Sequence, residues 1–142
     1  ENRYQSYDLD FITHCRVERL TIALNELEFY KQGRYYKSEA TDYFIEFPPP
    51  PVAVGNKPLT KFNEIETESG YLKLLTPTQC VMDRLAAFYH WNDRPSLEQA
   101  VLVAANNEID ISEIQTWSKE ENSMKKFEIF LKSLKENKSH DL

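Results

Sequence analysis

The sequence predicts an α+β fold, because strand-like segments fill the first half of the chain and helical segments fill the second half. Apolar and polar side chains alternate at 7–11 and 42–47, as they do in half-buried strands. At 17–30, and again beyond 75, apolar side chains recur every three or four residues, which is typical of amphipathic helices. We therefore predict a small mixed sheet with one covering helix, followed by a C-terminal helical bundle.

Local side-chain patterns define the first elements. Aromatic and β-branched residues favour a strand over 3–13. A helix is predicted over 17–30, and Gly33 is placed to end it, because glycine tolerates the left-handed conformation that often follows a helix. We interpret residues 34–37 as a short polar and aromatic link, or as an extended segment.

A second strand, a proline run and a hairpin are predicted next. The strand at 42–47 must stop at the four prolines of 48–51, which lack the N–H group that a sheet requires. We interpret the prolines as a rigid active-site loop, with a docking motif for an aromatic groove as the alternative. Strands at 62–68 and 71–75 are expected to pair as a hairpin around Gly70.

Four helices are predicted after 75. Thr76 can cap the first one, with Pro77 at its first position and Gln79 three residues after the cap, and together these form a strong start signal. The helices are predicted at 77–91, 96–106, 110–117 and 124–134, with fraying over 135–142. The change from strands to helices sets the predicted domain boundary, with an α/β core at 1–75 and a helical C-terminal region at 76–142.

Composition narrows the classes of function. A chain of 142 residues with 41% hydrophobic and 13% aromatic residues is typical of a globular domain. The net charge of −6 argues against broad DNA binding, but it leaves room for a small basic pocket for a triphosphate. Cys15 and Cys80 lack metal-ligand spacing, and no apolar run reaches the ~20 residues that cross a bilayer. We therefore expect a reduced, cytoplasmic protein with no membrane segment.

Asp8 and Asp10 are the first candidate metal ligands. In a strand they lie on one face, whereas Leu9 and Phe11 lie on the other face and can pack on a core. Two neighbouring carboxylates repel each other unless a cation lies between them, and Mg²⁺ prefers such oxygen ligands. Carboxylates at this spacing can share two ions ~3.5–4 Å apart, as phosphoryl transfer requires. The alternative is a pair of solvated acids at the end of a strand.

Glu46 is the candidate for a third carboxylate, with Asp42 on the same strand face as its rival. If the strand at 42–47 pairs with the D-x-D strand, three carboxylates converge at one edge of the sheet. Three carboxylates around two Mg²⁺ ions suit nucleotidyl transfer from a nucleoside triphosphate (NTP).

Several motifs resemble one known superfamily. The segment SYDLDF at 6–11 resembles the hydrophobic-flanked D-x-D strand of the polymerase-β-like nucleotidyltransferases. The segment IEF at 45–47 resembles the part of these proteins that carries their third carboxylate. The helical half of small bacterial nucleotidyltransferases of the abortive-infection and toxin–antitoxin type is similar to LLTPT at 74–78, DRLAA at 83–87 and WNDRPSLEQA at 91–100. These proteins carry a basic residue in the first helix and an Asp before the second, and Arg84 and Asp93 hold those positions here.

The resemblance implies both a reaction and its site. The implied catalytic and metal-binding residues are Asp8, Asp10 and Glu46. Arg84 and Asp93 are the implied nucleotide-binding residues, although on the helix surface Arg84 could equally pair with a neighbouring acid and Asp93 could cap a helix. The implied reaction is Mg²⁺-dependent transfer of a nucleotide from an NTP to a hydroxyl of RNA, such as tRNA, or of a protein. The alternative is a catalytically inactive binding partner with this fold in a toxin–antitoxin or phage-defence module.

The chain departs from the superfamily at two points. Members have a turn rich in Gly and Ser before the D-x-D strand, where backbone N–H groups hold the triphosphate, but only seven residues precede Asp8 and none is glycine. We expect either that this turn lies upstream of Glu1, which leaves the core incomplete at its N-terminus, or that the protein lacks the turn and does not catalyse. Glu46 stands where Asp is commoner, and its longer side chain can still bind a metal.

Overall fold

The structure is a computed structural model that describes residues 5–140. It contains strands and helices in both halves, so the predicted α+β class is confirmed. The backbone divides into two compact units, Glu1–Val52 and Ala53–Leu142. The domain boundary predicted after 75 stays a prediction, since it marks the change from strands to helices rather than a division by compactness.

Over its described residues, 5–52, the first unit consists of a four-stranded sheet and one helix. Its elements are β1 (Asp8–Asp10), α1 (Val17–Glu26), β2 (Tyr30–Gln32), β3 (Tyr35–Ser38) and β4 (Thr41–Glu46). The strands lie in the order β1-β4-β3-β2, with β1 parallel to β4 and the other pairs antiparallel. The sheet is therefore small and mixed, as predicted. Parallel neighbours need a long connection, which here contains α1 and the β2–β3 hairpin.

α1 packs on one face of this sheet. Leu20 and Leu24 lie one helical turn apart, so they share the side of the helix that contacts the strands. Leu24 is buried with Tyr36 of β3 and Ile45 of β4, which are direct register partners. The Tyr36 hydroxyl also lies 2.8 Å from Oγ1 of Thr21 in α1. These contacts identify the face of Ile45 as the core face of the sheet.

The end of α1 differs from the prediction, since the helix stops at Glu26. Glu28 adopts a left-handed conformation (φ 62°), and its N–H donates to the carbonyl of Asn25. The N–H of Phe29 donates to the carbonyl of Leu24, which completes a Schellman motif. Glycine usually occupies the left-handed position of this motif. Because a glutamate occupies it here, the sequence does not indicate where the helix ends.

Gly33 does not end the helix, contrary to the prediction. It lies in the two-residue turn between β2 and β3, with a φ of +64° that glycine adopts readily. Most of the predicted link at 34–37 is strand β3. Of the strand predicted over 3–13, β1 covers only Asp8–Asp10, and residues 3 and 4 lie outside the described residues.

In the described part of the second unit, which ends at residue 140, there are two hairpins and four helices. Its elements are β5 (Ala53–Val54), β6 (Lys57–Pro58), β7 (Asn63–Thr67), β8 (Gly70–Leu74), α2 (Pro77–Trp91), α3 (Arg94–Asn106), α4 (Ile111–Glu120) and α5 (Met124–His140). β5 pairs with β6, and β7 pairs with β8, as separate antiparallel two-stranded sheets. The hairpin predicted around Gly70 is confirmed, whereas the β5–β6 hairpin was not predicted.

One buried cluster joins these helices and β5. Its members include Val54, Phe88, Ala100, Trp117 and Phe130. α5 continues through part of the segment predicted to fray and ends at His140, while residues 141–142 lie outside the described part of the chain. Among residues 5–140, no helix has the length and apolar composition needed to span a bilayer.

Thr76 and Gln79 form the predicted capping box at the start of α2. Thr76 Oγ1 accepts a hydrogen bond from the Gln79 N–H (3.2 Å), and Gln79 Oε1 accepts one from the Thr76 N–H (2.8 Å). Gln79 Nε2 also donates to the carbonyl of Lys61 (2.7 Å). The capping box therefore provides acceptors for two backbone N–H groups at the start of α2. The bond from Gln79 to Lys61 also holds the segment before β7 against this helix.

Tyr89 is the titratable group most strongly affected by the core of the second unit. It is buried and stacks on Trp117, with 5.3 Å between ring centroids. Ser118 Oγ donates its single hydrogen to the Ile114 carbonyl, so the Tyr89 hydroxyl must donate to Ser118 Oγ, at 2.7 Å. Burial raises the pKa of Tyr89 to about 12.

Replacement of the cap in Thr76→Ala is expected to lower the free energy of unfolding by ~1 kcal/mol, because the first turn of α2 loses a side-chain acceptor. Urea denaturation followed by circular dichroism measures this change. Thr60→Ala, at an exposed threonine, is the matched control and should change the same quantity by less than ~0.5 kcal/mol. Equal losses in the two variants would contradict the capping role.

Alkaline pH should destabilise the protein through Tyr89. The folded state holds the phenolic proton more tightly than the unfolded chain, so this stabilisation is complete below pH 10 and is lost as the pH rises through about 12. Between these values, the free energy of unfolding should fall more steeply for the wild type than for Tyr89→Phe, by up to ~1.4 kcal/mol per pH unit. Urea titrations at each pH provide the test, and parallel curves for the two proteins would refute it.

Candidate functional site

The register between β1 and β4 places three acids on one face of the first sheet. Asp8 lies opposite Phe44, and Asp10 lies opposite Glu46. Register partners in a sheet share a face, and alternate residues along a strand share it too. Because Ile45 occupies the core face, Asp8, Asp10 and Glu46 occupy the opposite one. We call these three residues the acidic face.

Aromatic and basic side chains share this side of the sheet. Tyr35 is the register partner of Glu46 on β3, so one row across the sheet reads Asp10, Glu46 and Tyr35. The rings of Tyr35 and Phe44 meet edge to face, with 4.9 Å between centroids. Lys37 Nζ lies 6.0 Å from the centre of the Phe44 ring. The acids therefore lie beside a small aromatic surface that already attracts cations.

Arg34 places a positive charge at the acidic face. It stands in the β2–β3 turn, and its Nε lies 3.3 Å from Glu46 Oε1. Its guanidinium lies 4.7 Å from the centre of the Tyr35 ring and donates to the Tyr35 hydroxyl (2.5 Å). The hydrogen bond with Tyr35, the charge of Glu46 and, more weakly, the charge of Asp10 raise the pKa of Arg34. The guanidinium thus interacts with acids on both β4 and β1.

Asp8 lies at the start of β1 and is exposed. Its carboxylate accepts a hydrogen bond from the hydroxyl of Ser6. This bond uses Oδ1, and the other carboxylate oxygen, Oδ2, takes no part in it. Asp8 therefore remains chemically able to accept a further donor or a cation.

The arrangement of the acids decides how a metal ion could be held. Within residues 5–140, no group of three or more His, Cys, Asp or Glu side chains is positioned to hold a metal ion. The acidic face has the oxygen donors that Mg²⁺ prefers, but Glu46 is paired with Arg34 instead. The three acids therefore offer the oxygen atoms that Mg²⁺ prefers, and they lie on one face of the sheet. They do not, however, form a complete set of protein ligands for the ion.

Arg84 and Asp93 belong to the second unit. Arg84 Nη2 lies 2.8 Å from Asp83 Oδ2, and its Nη1 donates to Gln99 Oε1 (3.3 Å). Asp93 is the N-cap residue of α3, and its Oδ2 accepts a hydrogen bond from Ser96 Oγ (2.5 Å). Arg84 and Asp93 thus both contact neighbouring side chains of the second unit. Their predicted roles in nucleotide binding stay predictions.

Arg34 is the residue that the sequence analysis did not single out. The turn Gly33-Arg34 between two segments rich in tyrosine is a hairpin signal, and it could have placed a basic side chain at the end of the sheet. The contact with Glu46 is different, because it joins residues that become neighbours only when β3 pairs with β4. Sequence spacing carries no direct sign of such a contact.

No family model, curated protein or solved structure matches this chain. The likeness to polymerase-β-like nucleotidyltransferases therefore stays a prediction from the motifs at 6–11, 45–47 and 74–100.

Proposed function

We propose that this chain is a nucleotidyltransferase-type domain that binds an NTP and two Mg²⁺ ions at the acidic face. In this proposal, a nucleotide passes from the NTP to a hydroxyl of RNA, such as tRNA, or of a protein, and pyrophosphate is released. Asp8, Asp10 and Glu46 are the proposed catalytic and metal-binding residues. The nucleotidyltransferase-like fold of the α/β core at 1–75 and the bundle arrangement of the C-terminal helices at 76–142 are parts of the same proposal.

The register of β1 with β4 is the observation that carries the proposal. It brings Asp10 and Glu46 side by side, although they are far apart along the chain, and it keeps Asp8 on their face. Repulsion among clustered carboxylates is unfavourable unless positive charge compensates for it. A surface that gathers three such groups beside two basic side chains suits a ligand that carries both cations and phosphates.

The incomplete metal cage is compatible with this ligand. Mg²⁺ usually retains waters and binds through one or two carboxylates plus substrate phosphates, rather than in a dedicated protein cage. Asp8 and Asp10 supply two carboxylates from one strand face, and the triphosphate would supply further oxygens. The proposal therefore requires metal and NTP to bind together, with little binding of Mg²⁺ alone.

A role in nucleotide binding is also proposed for two residues of the second unit. Arg84 carries the planar guanidinium that matches phosphate oxygens, and Asp93 stands at the start of α3, so both are proposed to contribute to nucleotide binding. We also propose a cytoplasmic location, since Cys15 and Cys80 are unpaired thiols. The proposed partners are the NTP and either tRNA or a cognate protein.

A catalytically inactive binding partner in a toxin–antitoxin or phage-defence module is the second candidate. The ion pair between Arg34 and Glu46 favours it, because that contact occupies the third acid with a protein cation. An inactive protein would use the same sheet as a structural surface and would show no Mg²⁺-dependent NTP binding. One binding experiment therefore separates the two candidates.

NTP binding should depend on Mg²⁺ and on the D-x-D acids. Each of the four NTPs is titrated into the full chain with Mg²⁺ or with EDTA, using isothermal calorimetry. The double variant Asp8→Asn, Asp10→Asn should bind at least ~10-fold more weakly, because two charged ligands are lost. The charge-matched control is Glu64→Gln, Glu68→Gln in the exposed β7–β8 hairpin, which should stay within ~2-fold of the wild type.

Two results would defeat the nucleotidyltransferase proposal. One is the absence of Mg²⁺-dependent binding for all four NTPs, which favours the inactive partner. The other is equal affinity in the wild type and in the D-x-D double variant, which would place the nucleotide elsewhere on the protein.

A further inference from the structure

The β7–β8 hairpin has an uncovered apolar face. Ile65 lies opposite Leu72 in the register, and Leu74 lies on the same face because side chains alternate along a strand. These three side chains are 49%, 39% and 38% exposed, respectively. Within residues 5–140, β7 and β8 pair only with each other. Because an isolated two-stranded hairpin is marginally stable in water, a further strand would stabilise this one.

The free edge of β8 has backbone groups that can bond to a further strand. Thr67 and Gly70 flank the two-residue turn as a bridged pair, and such a pair exchanges both of its backbone hydrogen bonds. Hydrogen-bonded and non-hydrogen-bonded pairs alternate from there along an antiparallel ladder. The N–H and C=O groups of Tyr71 and Lys73 therefore point away from β7, to the free edge of β8.

The free edge of β7 is protected against a second copy of the chain by its charges. By the same alternation, the backbone groups of Glu64 and Glu66 point to this edge, and both side chains lie on the face opposite Ile65. Two β7 strands paired about a two-fold axis at Ile65 would place Glu64 directly opposite Glu66 of the second copy. Like charges directly opposite are destabilising, and charges on an edge strand discourage pairing.

The free edge of β8 is complementary to itself. Its only charged side chain is Lys73. Two β8 strands paired about a two-fold axis at Leu72 would place Lys73 opposite Tyr71 of the second copy, and a cation is attracted to an aromatic ring. One row across the joined sheet would then run in the order Glu64, Lys73, Tyr71 and Glu66. The positive charge in this row lies between two negative ones.

We propose that two copies of this chain associate through antiparallel pairing of their β8 strands, with the two-fold axis at Leu72. The two hairpins become one four-stranded sheet, in which Tyr71 of each copy exchanges backbone hydrogen bonds with Lys73 of the other. Leu72 meets its counterpart as a non-hydrogen-bonded pair, in which side chains approach most closely. With Ile65 of each copy, this pair forms one continuous apolar row. The acidic β7 edges remain outermost, so the assembly closes at two copies.

The position of the hairpin in its unit suits this arrangement. Its base is held against α2, because Gln79 donates to the carbonyl of Lys61 before β7. Antiparallel pairing sets the base of one hairpin beside the tip of the other, so the α2 helices of the two copies start at opposite ends of the shared sheet. Strands of five residues make a small interface. We therefore expect a weak dimer with a Kd of ~10–100 µM, which is independent of the proposed nucleotidyl transfer.

Sedimentation equilibrium of the full chain over ~1–300 µM measures this association. Leu72→Lys places two like charges opposite each other at the axis, so it should weaken dimerisation at least ~10-fold. Ile65→Lys is the matched control, because it disrupts the same cross-strand pair within the hairpin. Its two added charges lie three strand spacings (~14 Å) apart and are screened, so its Kd should stay within ~3-fold of the wild type.

A cross-link tests the register directly. In a Cys15→Ser, Cys80→Ser background, Leu72→Cys should form a disulfide-linked dimer in oxidised glutathione, because the Cα atoms of a non-hydrogen-bonded pair lie within disulfide range. Ile65→Cys should not cross-link under the same conditions, since its counterpart lies three strands away.

Four results would overturn the inference. The first is a wild type that stays monomeric at the highest concentration, and the second is equal dimerisation by the Leu72→Lys and Ile65→Lys variants. The third is equal cross-linking of the Leu72→Cys and Ile65→Cys variants. The fourth is growth beyond two copies, which would indicate head-to-tail pairing of β7 with β8 in place of a two-fold dimer.

Discussion

The parallel pairing of β1 with β4 is the constraint on which the acidic face depends. Backbone hydrogen bonds lock this register, from the Phe44 N–H to the Tyr7 carbonyl and from the Phe11 N–H to the Glu46 carbonyl, each 2.9 Å long. Side chains alternate strictly along a strand, so a slip of one residue would turn the D-x-D acids toward the core. The position of two carboxylates is thus fixed by main-chain bonds rather than by the carboxylates themselves.

Apolar burial decides which face is the acidic one. Leu24, Tyr36 and Ile45 bury their side chains between α1 and the sheet, and each buried side chain of this size contributes roughly 1.5–3 kcal/mol. Asp8 and Asp10 are exposed, so water screens part of their mutual repulsion. The core therefore fixes the face on which the acids lie, and Arg34 compensates for the charge of the less exposed Glu46.

Several parts of the fold follow from short-range patterns, and the rest depends on contacts between distant residues. Alternation at 7–11 and the capping box at Thr76 and Gln79 report local geometry, so both could be predicted. The end of α1 could not, because a glutamate takes the left-handed position that usually marks a helix end with glycine. The shared face of Asp8 and Asp10 could be predicted from period two. The placement of Glu46 on that face depends on the register of β1 with β4, and its pairing with Arg34 depends on how β3 aligns with β4.

Paramagnetic broadening by Mn²⁺ bound with ATP tests the central claim most directly. In ¹⁵N-labelled full chain, amide signals of β1 and of the end of β4, including those of Asp8, Asp10 and Glu46, should broaden first. Broadening should disappear when Asp8 and Asp10 are both changed to Asn. Broadening confined to other acids, such as Glu64 and Glu66 in the β7–β8 hairpin, would show that the acidic face does not hold the metal–nucleotide complex.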